Sequence, residues 1–185
     1  MILSGHKIRE ALEAGDITIS PFSAEQLGPN SYDFRLGDRC KIYRNKLLDA
    51  KHENETSEFV IPAEGVVIEP DRLYLFNTHE VLGSAKYVPI IRGRSSVGRL
   101  GLFINITADL IDVGSVNQWT LQLHAVTPVR VFPGMLIGQV TFWTIAGEFT
   151  PYNGKYAKLQ SPVASLSHLD FHPSIRTEGT NEPGN

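Results

Sequence analysis

The stretch Thr120-Leu121-Gln122-Leu123-His124 alternates polar and apolar residues with a period of two. Successive side chains of a β-strand point to opposite faces of a sheet, so this alternation predicts a strand with one apolar face. Gln122 and His124 share the other face. Val129-Arg130-Val131-Phe132 repeats the pattern a few residues later. The two stretches predict two strands of a β-rich fold.

Short β-branched runs separated by turn residues precede this strand. They lie at 59–61, 65–68 and 73–76, with Pro, Gly, Asn and Asp between them. Strands of this length at regular spacing are typical of a sandwich or a closed barrel. Segment 30–37 also alternates, and we expect it to end in a turn, whereas the polar segment 51–58 is expected to be a loop.

One short helix is expected at the N-terminus. Ser4 is a suitable N-cap, Ile8 and Leu12 fall on one helical face, and Gly15 stands where the helix would stop. The stretch Ile17-Thr18-Ile19 then predicts a short strand, ended by a proline.

Composition limits the class of protein. A chain of 185 residues with a net charge of −3 can form one domain with a sizeable core, and it is too acidic for a general nucleic-acid or membrane-surface binder. No run of eighteen apolar residues occurs, so no membrane span is expected. Cys40 is the only cysteine, which is typical of a cytoplasmic protein and leaves no zinc-thiolate deaminase site. We expect one domain over 1–169 and a flexible tail over 170–185.

The stretch Gly93-Arg94-Ser95-Ser96-Val97-Gly98-Arg99-Leu100-Gly101 combines two guanidiniums, two hydroxyls and three glycines. Arginine binds phosphate oxygens through paired, charge-assisted hydrogen bonds, and glycine lets backbone N–H groups approach them. The stretch therefore predicts a polyphosphate site. The alternative is a solvated turn with ordinary ion pairs.

With these segments in place, the chain resembles the dCTP deaminase family, a branch of the dUTPase superfamily. The resemblance rests on five blocks in the family's order: 1–4 with 21–22, 29–37, 93–101, 107–114 and 133–139. It implies a distorted, dUTPase-like β-barrel of the β-clip type and a homotrimer with active sites shared between subunits. It also implies binding of dCTP or dUTP with Mg²⁺ held through the substrate phosphates, and hydrolytic deamination of dCTP to dUTP.

The resemblance assigns roles to individual residues. Arg94, Ser95, Ser96 and Arg99 match the positions that hold the β- and γ-phosphates, and Ser95 and Arg99 are counted with the catalytic residues as well. The segment that closes over the triphosphate supplies three further binding candidates: Tyr152, Lys155 and Gln160.

The block 107–114 is expected to hold the nucleoside. Thr107 and Ala108 match positions whose backbone reads the pyrimidine edge, and the small Ala108 leaves room for the base. Asp112 matches an aspartate near the deoxyribose, which in dUTPases also orients the attacking water. The alternatives are a plain strand at 107–108 and a turn-forming aspartate at 112.

Gln122 is expected to bind the base and to count among the catalytic residues, although deaminases of this family carry a glutamate there. That glutamate moves protons between water and the leaving ammonia. An amide does not gain or lose protons at accessible pH, but it does hydrogen-bond as donor and acceptor. Three interpretations stay open: a natural family member with altered chemistry, a deaminase engineered to trap substrate, and a local shift of the alignment.

Three functions follow from these residues. The first is deamination of dCTP, slowed by Gln122. The second is a dUTP diphosphatase, or a bifunctional enzyme, in which Asp112 activates water at the α-phosphate. Dedicated dUTPases usually carry an apolar residue at position 122, which argues against a pure diphosphatase. The third is a nucleotide-binding module without turnover.

Overall fold

The structure, a computed structural model, describes residues 1–157 and 162–171. Gln160 and residues 172–185, most of the expected tail, lie outside the described residues. The helices and strands are, in chain order, α1 (Gly5–Glu13), β1 (Ile17–Ser20), a 3₁₀ turn (Ala24–Gln26), β2 (Tyr32–Tyr43), β3 (Thr56–Val60), β4 (Val66–Ile68), β5 (Tyr74–Thr78), β6 (Val81–Ser84), β7 (Val88–Gly93), α2 (Ser95–Gly98), β8 (Leu102–Phe103), β9 (Thr120–Ala125), β10 (Val129–Val131), β11 (Leu136–Trp143) and a second 3₁₀ turn (Ser167–Asp170).

Most strands belong to one antiparallel sheet. Its order is β7-β11-β2-β5-β9-β8, with β3 paired to β2 beside this path, and β1–β6 and β4–β10 form separate two-stranded pairs. Strand β2 changes partners along its length: residues 32–35 pair with β11, and residues 36–43 pair with β5 and β3. Because one long strand serves both halves, the sheet turns back on itself as a barrel does. The expected mainly β fold with a short N-terminal helix is confirmed.

The core lies inside this curved sheet. Its largest fully buried side chains include Tyr32, Phe34, Phe76 and Phe142, contributed by β2, β5 and β11. Each side chain of this size stabilises the fold by about 1.5–3 kcal/mol on burial. The longest helix has nine residues, and no helix among the described residues has the length and apolarity that a membrane span requires.

Helix α1 follows the sequence prediction closely. The Ser4 hydroxyl accepts a hydrogen bond from the Lys7 N–H at 3.4 Å. Ile8 is fully buried and Leu12 packs against the core. Gly15 follows the helix with φ of +77°, a left-handed conformation that favours glycine at a helix end.

The two loop expectations were wrong in part. No turn occurs at Gly37, because β2 continues through it to Tyr43. A Cβ at this glycine would lie 2.4 Å from the side chain of Asn77, so the glycine serves a close approach at the register shift between β2 and β5. Segment 51–58 is a loop only in its first part, since β3 begins at Thr56.

A buried carboxylate connects β2 to the residues after β5. Glu80 is fully buried and accepts hydrogen bonds from the backbone N–H of Arg35 at 2.9 Å and from its Nε at 2.7 Å. Gln26 donates to the same carboxylate at 3.2 Å. A buried charge needs this degree of pairing to be tolerated, so the network fixes the path of β2.

Gly138 of β11 lies where two apolar side chains converge. A Cβ there would lie 2.3 Å from Phe34 Cζ and 2.6 Å from Ile104 Cδ1. The same residue is paired in register with Gly93, the last residue of β7. Only glycine therefore fits at this position of β11, opposite the end of β7.

Candidate active site

A cavity of about 550 Å³ opens beside β9. Its wall includes five of the residues singled out from sequence: Thr107, Ala108, Asp112, Gln122 and Tyr152. A volume of this size is typical of pockets that hold small molecules. These five candidates therefore belong to one site within a single chain.

Strand β9 presents its polar face to this cavity. Leu121 and Leu123 are fully buried on one side of the strand, while Thr120 and Gln122 line the cavity on the other. The period-two pattern of the sequence predicts this division, and the structure confirms it.

The side chain of Gln122 is held by the neighbouring segment. The backbone N–H of Ile106 donates to Gln122 Oε1 at 3.3 Å, and the backbone N–H of Gln122 donates to the carbonyl of Ile104 at 2.9 Å. Within residues 1–157 and 162–171, Gln122 Nε2 has no hydrogen-bond acceptor. The amide is thus anchored through its oxygen. No sequence pattern pointed to this contact, because Ile106 lies sixteen residues earlier in an irregular segment.

Thr107 and Ala108 are exposed residues outside any strand. Neither makes a backbone hydrogen bond to another described residue. A stretch of unpaired backbone N–H and C=O groups beside a cavity is suited to pairing with the edge of a flat polar ring. The expectation that both residues form the wall of a base site fits this placement.

Asp112 is exposed and lies at the junction of the main cavity and a second cavity of about 270 Å³. The turn that carries it is closely packed: Gly114 has φ of +94°, and a Cβ there would lie 2.9 Å from Pro151 Cβ. Tyr152 donates its backbone N–H to the carbonyl of Val113 at 2.7 Å. The carboxylate is therefore carried by a fixed turn beside Tyr152.

The expected phosphate residues lie elsewhere. Arg94, Ser95, Ser96 and Arg99 belong to α2 and its ends, and none of them lines the main cavity. Arg94 Nε lies 3.0 Å from Asp33 Oδ2. Within one chain, the structure does not bring these four residues together with the base-side candidates.

Residues 162–171, which we call the C-terminal strap, close one side of the cavity. Ser165 of the strap lines the cavity and donates its backbone N–H to the hydroxyl of Tyr43 at 2.9 Å. The N–H of Val163 donates to Thr120 Oγ1 at 3.0 Å. The sequence did not point to Tyr43 or Thr120 for this role, because hydroxyls that bind a distant backbone follow no local pattern.

Two further contacts hold the strap. Leu166 donates its N–H to the hydroxyl of Tyr156 at 2.9 Å. Lys155 Nζ lies 2.6 Å from Asp170 Oδ2. Lys155, a phosphate candidate, is therefore engaged with the strap in this structure and does not line the main cavity.

Among the described residues there is no group of three or more His, Cys, Asp or Glu side chains arranged to hold a metal ion. Magnesium commonly binds through substrate phosphates with few protein ligands, so a metal carried by the phosphates needs no such group. Cys40 lies in the core, where burial raises the pKa of its thiol to about 12. It is a poor nucleophile under ordinary conditions.

Comparison with known proteins adds to this geometry. The family model for dCTP deaminase-like proteins matches residues 2–145. Proteins named dCTP deaminase, dUMP-forming, from Hathewaya histolytica, Clostridium botulinum (strain Alaska E43 / Type E3) and Cytophaga hutchinsonii are 46%, 45% and 44% identical to this chain, each over 92% of it and 99% of their own length.

A solved structure shares the fold. The 2′-deoxycytidine 5′-triphosphate deaminase from Agrobacterium tumefaciens matches with a TM-score of 0.61 and 23% identity, over 76% of this chain and 47% of that one. The expected mainly β, barrel-like fold is confirmed. Fold, family model and relatives agree, and the chain therefore belongs to the dCTP deaminase-like family of enzymes.

Proposed function

We propose that this enzyme binds a pyrimidine deoxynucleoside triphosphate in the main cavity and forms dUMP. The observation that carries the proposal is the convergence of Thr107, Ala108, Asp112 and Gln122 on one wall. The name dUMP-forming dCTP deaminase, carried by relatives at 44–46% identity, favours dUMP as the product over the dUTP expected from the sequence. Two steps balance: dCTP and water give dUTP and ammonia, and dUTP and a second water give dUMP and diphosphate.

The described residues divide this work between base and sugar. The unpaired backbone of Thr107 and Ala108 binds the pyrimidine edge, and Gln122 faces the substituent at C4. Asp112, an exposed carboxylate between two cavities, binds the deoxyribose and orients water toward the α-phosphate, where a carboxylate acts as general base. Tyr152 closes the same wall.

The triphosphate is bound by residues of a second protomer. Arg94, Ser95, Ser96 and Arg99 do not line their own chain's cavity, and two arginines with two hydroxyls suit a polyphosphate. Apolar side chains next to them in the chain are exposed, Leu100 and Phe103 at 52% each. These observations support sites shared between copies of this chain. The homotrimer, with Mg²⁺ arriving with the phosphates, is the assembly that the family resemblance implies. The lone, buried Cys40 agrees with a cytoplasmic enzyme.

Shared sites are tested by mixing two inactive variants. Arg99→Ala lacks a phosphate ligand and Asp112→Ala lacks the carboxylate. When the two are co-expressed, some sites of a mixed assembly contain both native residues, so activity returns. Mixed assemblies that form, as mass spectrometry would show, but stay inactive contradict a site shared between chains.

Gln122 favours a second candidate, a dUTP diphosphatase. Loss of general acid–base catalysis slows a step by about 10²–10⁴-fold, and Gln122 takes the place of the deaminating glutamate. Diphosphate release depends on Asp112, and this chain retains that carboxylate. We therefore propose slow deamination and faster diphosphate release within the same site.

Separate assays of the two steps distinguish the candidates. The parent enzyme is expected to release diphosphate from dUTP and little ammonia from dCTP, and Gln122→Glu is expected to raise ammonia release. Nucleotide binding without either product over hours, in both proteins, would instead identify a binding module. Failure of both to bind dCTP and dUTP would remove the proposal.

A further inference from the structure

The contact between Ile106 and Gln122 fixes the orientation of the Gln122 amide. A backbone N–H is a donor, so the amide atom 3.3 Å from Ile106 N is the oxygen, which alone can accept. The NH₂ group then lies at the opposite end of the amide. It has no acceptor among the described residues, on a side chain that lines the cavity.

We propose that Gln122 selects pyrimidine deoxynucleotides with a carbonyl at C4, and so favours uracil over cytosine. This inference rests on the proposed function, which places the base against Gln122. Uracil and thymine carry an acceptor oxygen at C4, whereas cytosine carries a donor amino group. The Gln122 NH₂ group donates to the first. Against cytosine, two donors face each other, and a buried donor without an acceptor is costly.

The same geometry explains what a glutamate would do at this position. One carboxylate oxygen would take the Ile106 N–H, as Gln122 Oε1 does. The second oxygen would face the base as an acceptor, which suits the amino group of cytosine. A single exchange of NH₂ for O⁻ thus reverses the polarity presented to C4 without changing the length of the side chain. Rejection by an unmatched polar group is typically stronger than discrimination by size.

The test compares the affinities of α,β-imido-dUTP and α,β-imido-dCTP, in which the bond to be hydrolysed is blocked. Calorimetry is used for the parent enzyme and for Gln122→Met, which has similar length but no hydrogen-bonding amide. Gln122→Glu is measured by stopped-flow tryptophan fluorescence before it deaminates the analogue, because Trp119 lines the cavity. Gln118→Glu adds the same charge to the same wall and serves as the matched control.

We expect the parent enzyme and Gln118→Glu to bind the uracil analogue about tenfold more tightly or better. Gln122→Met should lose most of this preference, and Gln122→Glu should reverse it. Equal or tighter binding of the cytosine analogue by the parent enzyme would overturn the inference while leaving the proposed function in place, as would a preference that survives in Gln122→Met. Binding of neither analogue would remove the proposed function, and the inference with it.

Discussion

Asp33 of β2 forms an ion pair with Arg94, the residue after β7, across the intervening strand β11. Asp33 Oδ2 lies 3.0 Å from Arg94 Nε, and Asp33 Oδ1 accepts a hydrogen bond from Gln139 at 2.9 Å. Because the contact uses Nε, and Arg94 has no second ion pair among the described residues, the terminal amino groups are available to the phosphate that we propose. Asp33 is thus a positioning residue for a proposed phosphate ligand.

Asp33→Asn should weaken nucleotide binding by about fivefold, since the partly buried pair is worth on the order of 1 kcal/mol. KM should rise more than kcat falls. Asp16→Asn is the control: it removes the partner of Lys86, a more exposed cation outside the candidate site, whose contact is 2.8 Å. Equal affinities for both variants would show that Asp33 does not position Arg94.

The C-terminal strap depends on hydroxyls that accept its backbone N–H groups. Tyr43→Phe removes the acceptor of the Ser165 N–H, and one hydrogen bond of about 1 kcal/mol corresponds to about fivefold faster amide exchange in the strap. Hydrogen exchange with mass spectrometry measures it. Tyr74→Phe, which removes an acceptor of the Glu69 N–H, should leave the strap unchanged. Unaltered exchange in Tyr43→Phe would mean that other contacts hold the strap.

Glu80 is expected to be important for stability. Glu80→Ala removes a fully buried carboxylate and leaves the Arg35 N–H without its acceptor and the partly buried Arg35 guanidinium without its partner, so the free energy of unfolding should fall by about 3 kcal/mol. Glu58→Ala breaks only surface pairs with Arg39 and Lys41 and should cost less than about 1 kcal/mol. Urea denaturation compares the two. Similar losses in both variants would contradict the importance of the buried network.

Cys40 should make stability depend on alkaline pH. Burial raises the pKa of its thiol from 9.0 to about 12, so the unfolded chain loses this proton first. The stabilisation is complete below pH 9 and is lost as pH rises toward 12, because the unfolded state then binds fewer protons. Unfolding measured below and above pH 9 should show this decline in the parent enzyme and a smaller one in Cys40→Ala. Parallel pH profiles would show that the thiol does not contribute.

Short-range sequence patterns correctly predicted features that depend on neighbouring residues, such as helix ends and the buried face of a strand. Ser4 and Gly15 mark the ends of α1, and the alternation around Gln122 predicts which face of β9 meets the cavity. The turn predicted at Gly37 was wrong. A glycine is needed there because the side chain of Asn77, on β5, approaches closely.

In the candidate site, too, some features could be predicted from the sequence and others could not. The sequence predicted the base-side residues of the cavity, and it grouped the arginines of the segment 93–101 with them. Within a single chain the two sets lie apart, which is compatible with the sites shared between subunits that the resemblance implies. The anchoring of Gln122 by Ile106 was also invisible, because it joins a strand to an irregular segment.

The crowding at Gly138 makes the side-chain size tolerated there depend on Phe34, which lies more than a hundred positions earlier in the chain. Any methyl group added there must be accommodated by a smaller ring or a shorter chain at Phe34 or Ile104. A larger residue at position 138 therefore requires a compensating smaller residue at position 34 or 104. A lone substitution at Gly138 would press on Phe34 and Ile104, opposite the residue that precedes Arg94.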